Sequence, residues 1–260
     1  MHRRTFSPRH LFSLCFIVCF SIFVSACGST PSTKGTAQTS NQAQSKVDAE
    51  KAALAKQQQE AAKKQILNYA KADADYRALV AKFRSGQASN GDYDAITRVY
   101  PLTSNYNPYA SAEQTQKLVA FEHMESKQWD ACLRATDIIL NENFTSLTGH
   151  YGAMVCHYEQ GQQAQGEFHN QLLDGFIDAV WRSGDGRSPA TAFYITSSND
   201  LYAFVQMHGF IVTGQSLVYH QERPMDAISV ENPETGEEAT WYFDVTAQFR
   251  RGILDDLEAR

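Results

Sequence analysis

The chain has 260 residues, of which 43% are hydrophobic, 20% charged and 12% aromatic, a composition that excludes a disordered chain, a collagen-like fibre and a coiled-coil fibre. Its formal net charge of −6 argues against a nucleic-acid partner, because neutralising phosphates takes clustered Lys and Arg. Five cysteines are too few to make a disulfide scaffold of a chain this long.

Residues 1–26 read as an export signal. Arg3, Arg4 and Arg9 precede an apolar run over 11–24 interrupted only by Ser13 and Ser21. That run is shorter than the ~20 residues that span a bilayer core. The run Val24-Ser25-Ala26-Cys27 resembles a bacterial lipobox. The resemblance implies cleavage before Cys27, acylation at Cys27 and lasting attachment to a membrane, since each buried CH₂ of an acyl chain contributes about 0.8 kcal/mol. Gly28 stands where an Asp would mark inner-membrane retention, so the resemblance places the protein in the cell envelope, on the outer membrane. Cleavage removes three arginines and no acid and takes the net charge from −6 to −9. Cys27, Cys132 and Cys156 remain.

Residues 27–46 hold no large hydrophobe and read as a flexible tether. Ser45 and Asp48 make a capping box, and the Ala/Gln/Lys-rich stretch 47–65 reads as a solvated helical stalk with a thin apolar stripe. From residue 66 the apolar content rises. Ile66, Tyr69, Tyr76, Leu79, Val80 and Phe83 give that helix a face able to dock on a core, and Ser85-Gly86 ends it. Gly91-Asp92-Tyr93 opens a short helix that stops before Pro101. Tyr100, Tyr106 and Tyr109 crowd the next loop, where they either pack on the helices or stack a ligand.

Four helices follow. The first is capped by Ser111 with Gln114 and runs to about Ser126. The others cover Trp129–Asn141, Leu147–Gln160 and Gln163–Trp181. Their hairpin turns, at Lys127 and Gly161, are 34 residues apart, the tetratricopeptide period. Trp129 and Cys132 fit positions of that repeat and most other positions do not, so the region 66–190 is tetratricopeptide-like. Past the turn-rich Ser183-Gly184-Asp185-Gly186, the periodicity changes. A strand over Thr191–Thr196, a helix capped by Ser198, strands at Ser216–Gln221, Ala227–Glu231 and Thr240–Thr246, and a terminal amphipathic helix make 191–260 a small part packed on the helices. The fold class is therefore α+β: helical hairpins first, then a small mostly antiparallel sheet with one helix.

The Tyr76…Phe83 helix, Asn107-Pro108-Tyr109, the Trp129 repeat, the turn at 183–186, Ala192-Phe193 and Tyr242-Phe243-Asp244, taken in order, resemble a bacterial lipoprotein family described only as a domain of unknown function. The resemblance spans about residues 70–246 and implies no activity and no catalytic residues.

No nucleophile elbow, phosphate loop, dinucleotide fingerprint or zinc-protease motif is present in the sequence. His123 and His157 are equivalent in the two repeats, and His150 and His157 share a helix face. A metal site needs three or four convergent ligands, so no metal and no cofactor are expected. Asp185 either exposes a carboxylate between two glycines or closes a tight turn on its own backbone. Together with His208, His220 and Asp226 it is the candidate acid–base set of an unrecognised envelope hydrolase. Cys132 and Cys156 lie equally far from Phe144, in the loop that joins their helices. Ala131, Ala135, Gly149, Gly152 and Ala153 would let those helices approach. A disulfide needs Cα atoms about 4.4–6.8 Å apart against the ~8–10 Å of ordinary helix spacing, so a bridge and two buried thiols both remain open. The leading reading is a non-enzymatic, lipid-anchored module that binds an envelope protein or peptide, with the hydrolase as the alternative.

Overall fold

The computed structural model describes residues 69–258, with side chains to residue 253. The signal, the Cys27 attachment site, the tether and the stalk lie outside the described residues. Everything described belongs to one compact unit, 52–260.

Helix α1 (Tyr69–Arg84) ends at Ser85-Gly86, and α2 (Asn90–Val99) begins at Ser89. The Asp92 carboxylate accepts the Ser89 N–H at 2.8 Å and its hydroxyl at 2.7 Å, and pairs with Lys82 of α1 at 2.8 Å. The Lys82 ammonium and the Ser89 donors hold the Asp92 carboxyl down at about 2. A 3₁₀ turn, Tyr100–Leu102, carries Pro101. Tyr106 is buried and donates to the Thr196 carbonyl at 2.7 Å, and Tyr109 donates to the Gln248 carbonyl at 2.8 Å. The aromatic loop therefore ties the helices to the sheet region.

Next come α3 (Ala112–Glu125), α4 (Trp129–Glu142), α5 (Leu147–Glu159) and α6 (Gln163–Ser183). The expected side-chain box at Ser111 is not formed. Glu142, at the end of α4, instead accepts the Ala112 N–H at 2.9 and 3.0 Å, placing a carboxylate at the positive end of α3. The α3–α4 and α5–α6 turns share one pattern of bonds. Gln128 N–H reaches the His123 carbonyl and Lys127 N–H the Met124 carbonyl; Gln162 N–H reaches His157 and Gly161 N–H reaches Tyr158. Each is a Schellman motif closed by a left-handed residue, Lys127 at φ 57° and Gly161 at φ 75°.

Between these hairpins, α4 and α5 pack closely. A Cβ on Gly152 would come within 2.7 Å of the Thr136 methyl, and one on Gly149 within 2.8 Å of Leu140. Cys132 and Cys156 are joined by a disulfide across this contact, their Cα atoms 6.5 Å apart.

The sheet has the order β1-β4-β3-β2, from β1 (Phe193–Tyr194), β2 (Ile211–His220), β3 (Arg223–Glu231) and β4 (Glu238–Asp244). The last three form an antiparallel meander, with Leu217 opposite Asp226 and Ile228 opposite Trp241. Strand β1 runs parallel to β4 with Phe193 beside Phe243. Helix α7 (Ser198–Met207) follows β1, and α8 (Thr246–Glu258) follows β4. Three expectations are corrected here. Strand β1 has two residues rather than six, because Pro189–Thr191 turns as a 3₁₀ helix before it and Thr196-Ser197 are drawn into the start of α7. The cap of α7 is Ser197, not Ser198; its hydroxyl accepts the Asp200 N–H at 3.1 Å. Strand β2 starts at Ile211 rather than Ser216, and its turn into β3 is only Gln221-Glu222, both with positive φ, the two-residue geometry that matches strand twist.

One apolar core joins both halves. Phe83, Ile96, Leu147, Phe176 and Val180 from the helices, with Phe144 from the loop before α5, meet Phe193, Leu201, Phe204, Ile228 and Phe243 from the sheet region.

Candidate functional site

The four candidate acid–base residues have separate surroundings. Asp185 is committed to its turn: its carboxylate accepts the Thr191 hydroxyl at 2.5 Å and the Arg187 N–H at 3.0 Å, and these bonds lower its pKa. The same turn is locked onto the sheet, because Gly186, at φ +67°, accepts the Tyr242 N–H at 2.8 Å and leaves no room for a Cβ beneath the Phe193 ring. Thus the glycines of the Ser-Gly-Asp-Gly run serve docking, and the aspartate serves the turn.

His208 ends α7 among Trp181, Phe204 and Trp241. The Trp181 indole N–H donates to its Nε2 at 3.0 Å, which assigns the proton to Nδ1, 2.6 Å from the Phe204 carbonyl. Both ring nitrogens are occupied, and burial lowers the pKa. His220 closes β2 opposite Arg223. Asp226 lies on β3, accepts the Gln215 amide at 2.8 Å, and has its pKa raised by burial. None of the four lines either of the two cavities described below.

The larger cavity, about 200 Å³, lies where α2, the 3₁₀ turn, the ends of β1 and β4, the start of β3 and the start of α8 meet. Among the described residues it is lined by Arg98, Arg223, Arg250 and Arg251, with Asp244 as the single acid, and by Pro101, Leu102, Tyr194, Thr246 and Ala247. Three of the arginines are held in place. The Arg98 guanidinium lies over the Tyr194 ring, 3.5 Å from its centre, a cation–π contact. Arg223 pairs with Asp244. Arg251 donates to the Tyr69 hydroxyl at 3.1 Å and to the Thr103 and Ser104 carbonyls at 3.4 and 3.3 Å. Asp244 also accepts the Thr246 N–H at 3.0 Å, so it is bonded on both sides. The Thr246 hydroxyl is buried without a hydrogen-bond partner. An array of guanidinium groups attracts and orients anions.

This cavity escaped sequence reasoning because its arginines come from positions 98, 223, 250 and 251. One signal was available: α8 has no acid in its first turn and carries Arg250-Arg251 soon after, the reverse of the usual charge preference at a helix start.

The smaller cavity, about 20 Å³, is lined by Asp200 with Thr97, Thr145, Tyr194 and Thr196. Asp200 accepts the Leu147 N–H at 2.9 Å and the hydroxyls of Thr196 and Ser197 at 3.1 and 2.9 Å. It thereby anchors the start of α5 from α7. Glu113 is buried near Asp200 with its Oε1 left without a hydrogen-bond partner, and burial raises its pKa to about 8. Burial raises that of Asp200 as well. Perturbed carboxyls mark functional candidates, but a space this small admits water at most, so the pair reads as part of the fold.

The histidines of α5 and α6 also meet. His150 lies 3.0 Å from His169, Nδ1 to Nδ1, with its Nε2 2.8 Å from the Phe144 carbonyl, and His157 stacks on His169.

A family model described as a domain of unknown function (DUF4919) matches residues 60–251. No curated protein matches the chain, and no solved structure does.

Proposed function

The chain belongs to the DUF4919 family, and from that premise we propose that it is a lipid-anchored cell-envelope protein, held on the outer membrane through Cys27, whose helical hairpins bind a protein or peptide partner. The signal-like N-terminus and the lipobox-like run ending at Cys27 support the anchor. The Cys132–Cys156 disulfide supports an oxidising compartment, where such bonds persist. The Schellman turns spaced 34 residues apart support a tetratricopeptide-like use of α3–α6, since stacked helix pairs present surfaces for peptides and proteins.

The observation that carries the binding role is the apolar side chains left in solvent on the first hairpin. Leu118 of α3 is 69% exposed, Phe121 stands one turn further on, and Ile138 of α4 is also exposed. Large apolar groups clustered on a surface mark interaction sites.

Crosslinking in intact cells followed by capture of the full chain tests this. A reproducible partner is expected, with recovery at least tenfold lower for the Leu118→Asp, Phe121→Asp variant at equal protein level. Recovery of no reproducible partner overturns the binding role. Metabolic labelling with an alkynyl fatty acid tests the anchor separately; label retained by Cys27→Ser refutes attachment at that residue.

A further inference from the structure

We propose that the arginine-lined cavity is a binding site for the phosphate group of a small phosphorylated molecule. It is separate from the hairpin surface and independent of any role for it. Four of the chain's thirteen arginines meet around one cavity in a protein of net charge −6. Like charges do not gather in this way without a counterion, because each guanidinium added raises the energy of the others. Among the described residues of the lining Asp244 is the only acid, and it already bonds Arg223 and the Thr246 N–H. Among its described residues the lining therefore has three positive charges more than negative ones. That excess suits a phosphate monoester, which carries about two negative charges at neutral pH, better than a single carboxylate.

The geometry favours the same ligand. Arg98 lies over the Tyr194 ring, Arg223 is held by Asp244 and Arg251 by Tyr69, Thr103 and Ser104. Little side-chain freedom is left to lose on binding. Arg250 makes no side-chain hydrogen bond or ion pair among the described residues, so its donors are free for a ligand. The Thr246 hydroxyl, buried without a partner in the wall, supplies a neutral donor. Helix α8 starts in that wall, adding the positive end of its dipole. Guanidinium forks match the oxygens of phosphate. At about 200 Å³ the cavity is smaller than the ~300–1,000 Å³ of drug-sized sites. It takes the phosphate end of a molecule and leaves the remainder outside, past the exposed Leu102. Such a phosphate comes from a soluble ester or from a lipid headgroup.

Calorimetric titration of the full-length protein in detergent, at low ionic strength, tests the site with four probes: inorganic phosphate, glycerol phosphate, dihexanoyl phosphatidic acid and acetate. Saturable binding of the phosphate probes is expected, at least tenfold tighter than acetate and weakened by added salt. Arg250→Gln and Thr246→Val remove groups with no protein partner. Each is expected to weaken phosphate binding at least fivefold while melting within a degree or two of the parent. Saturable binding of either ester supports the site, and the tighter of the two identifies the source. No saturable heat with any phosphate probe, equal affinity for acetate, or unchanged phosphate affinity in both variants overturns it.

Discussion

At the scale of single residues, Lys127 and Gly152 show how backbone and packing select side chains. Lys127 holds φ 57° in a turn whose counterpart gives the same job to Gly161 at φ 75°. Left-handed backbone strains any residue with a Cβ, so Lys127→Gly is expected to raise stability by about 0.5–1 kcal/mol, read as a higher urea midpoint at unchanged slope. An unchanged midpoint would show that the lysine side chain offsets its own strain. Gly152 has the opposite constraint. A valine there must displace the Thr136 methyl beside the disulfide and is expected to cost about 2–3 kcal/mol; a variant as stable as the parent would contradict the tight contact. Both positions were legible in the sequence. The 34-residue spacing aligned Lys127 with a glycine, and small residues clustered at 149, 152 and 153. Glu113 and Asp200 were not legible, because an acid on an amphipathic helix looks the same whether it faces solvent or a ring of buried hydroxyls.

Among the elements, the α4–α5 pair is the one held covalently. The bridge closes a loop over 24 positions, which on chain-entropy grounds stabilises the fold by about 3 kcal/mol. The Cys132→Ala, Cys156→Ala variant is expected to lose about that much in a denaturant melt. Mass spectrometry after alkylation without reductant is expected to leave both residues of the native protein unlabelled; labelling of both would refute the bridge. The helices were readable because capping residues, apolar periodicity and turn residues all act within a few positions of one another. The Glu142 carboxylate that caps α3 was not, since it arrives from thirty residues away. Strand β2 was misjudged for a related reason. It is an edge strand whose residues are largely exposed, so Thr213, Gly214 and Gln215 interrupt the alternation on which a strand is recognised. The ladder to β3 holds Gly214 and Gln215 against Ser229 and Ile228, and Thr213 falls where the register shifts.

Across the whole molecule, two buried sets titrate in opposite senses. His150 is enclosed by α5, α6 and the Phe144 loop, and burial, then His169, lowers its pKa from 6.5 to about 3. His169 falls to about 4 through burial and His157. The native state thus binds fewer protons than the unfolded one over that range, so this stability is complete above about 6.5 and is lost as pH falls towards 3. For Glu113, raised from 4.5 to about 8, the native state binds more protons. That stability is complete below about 4.5 and is lost as pH rises through 8, and Asp200 acts in the same direction. Stability is therefore expected to peak roughly between pH 4.5 and 6.5, and Glu113→Gln to flatten the alkaline decline, both read from urea midpoints across pH. A maximum at pH 8 or above would contradict the assignment. By itself the sequence determined the α+β class, the helix hairpins with their turns, and the order of helices before sheet, because these follow from periodicity and capping within short windows. Only the tertiary structure decided where charge collects. Arg98, Arg223, Arg250 and Arg251 become neighbours because one apolar core draws α2 and β3 together and holds Val245, from which α8 sets out, and the net negative composition hides the basic cavity that results.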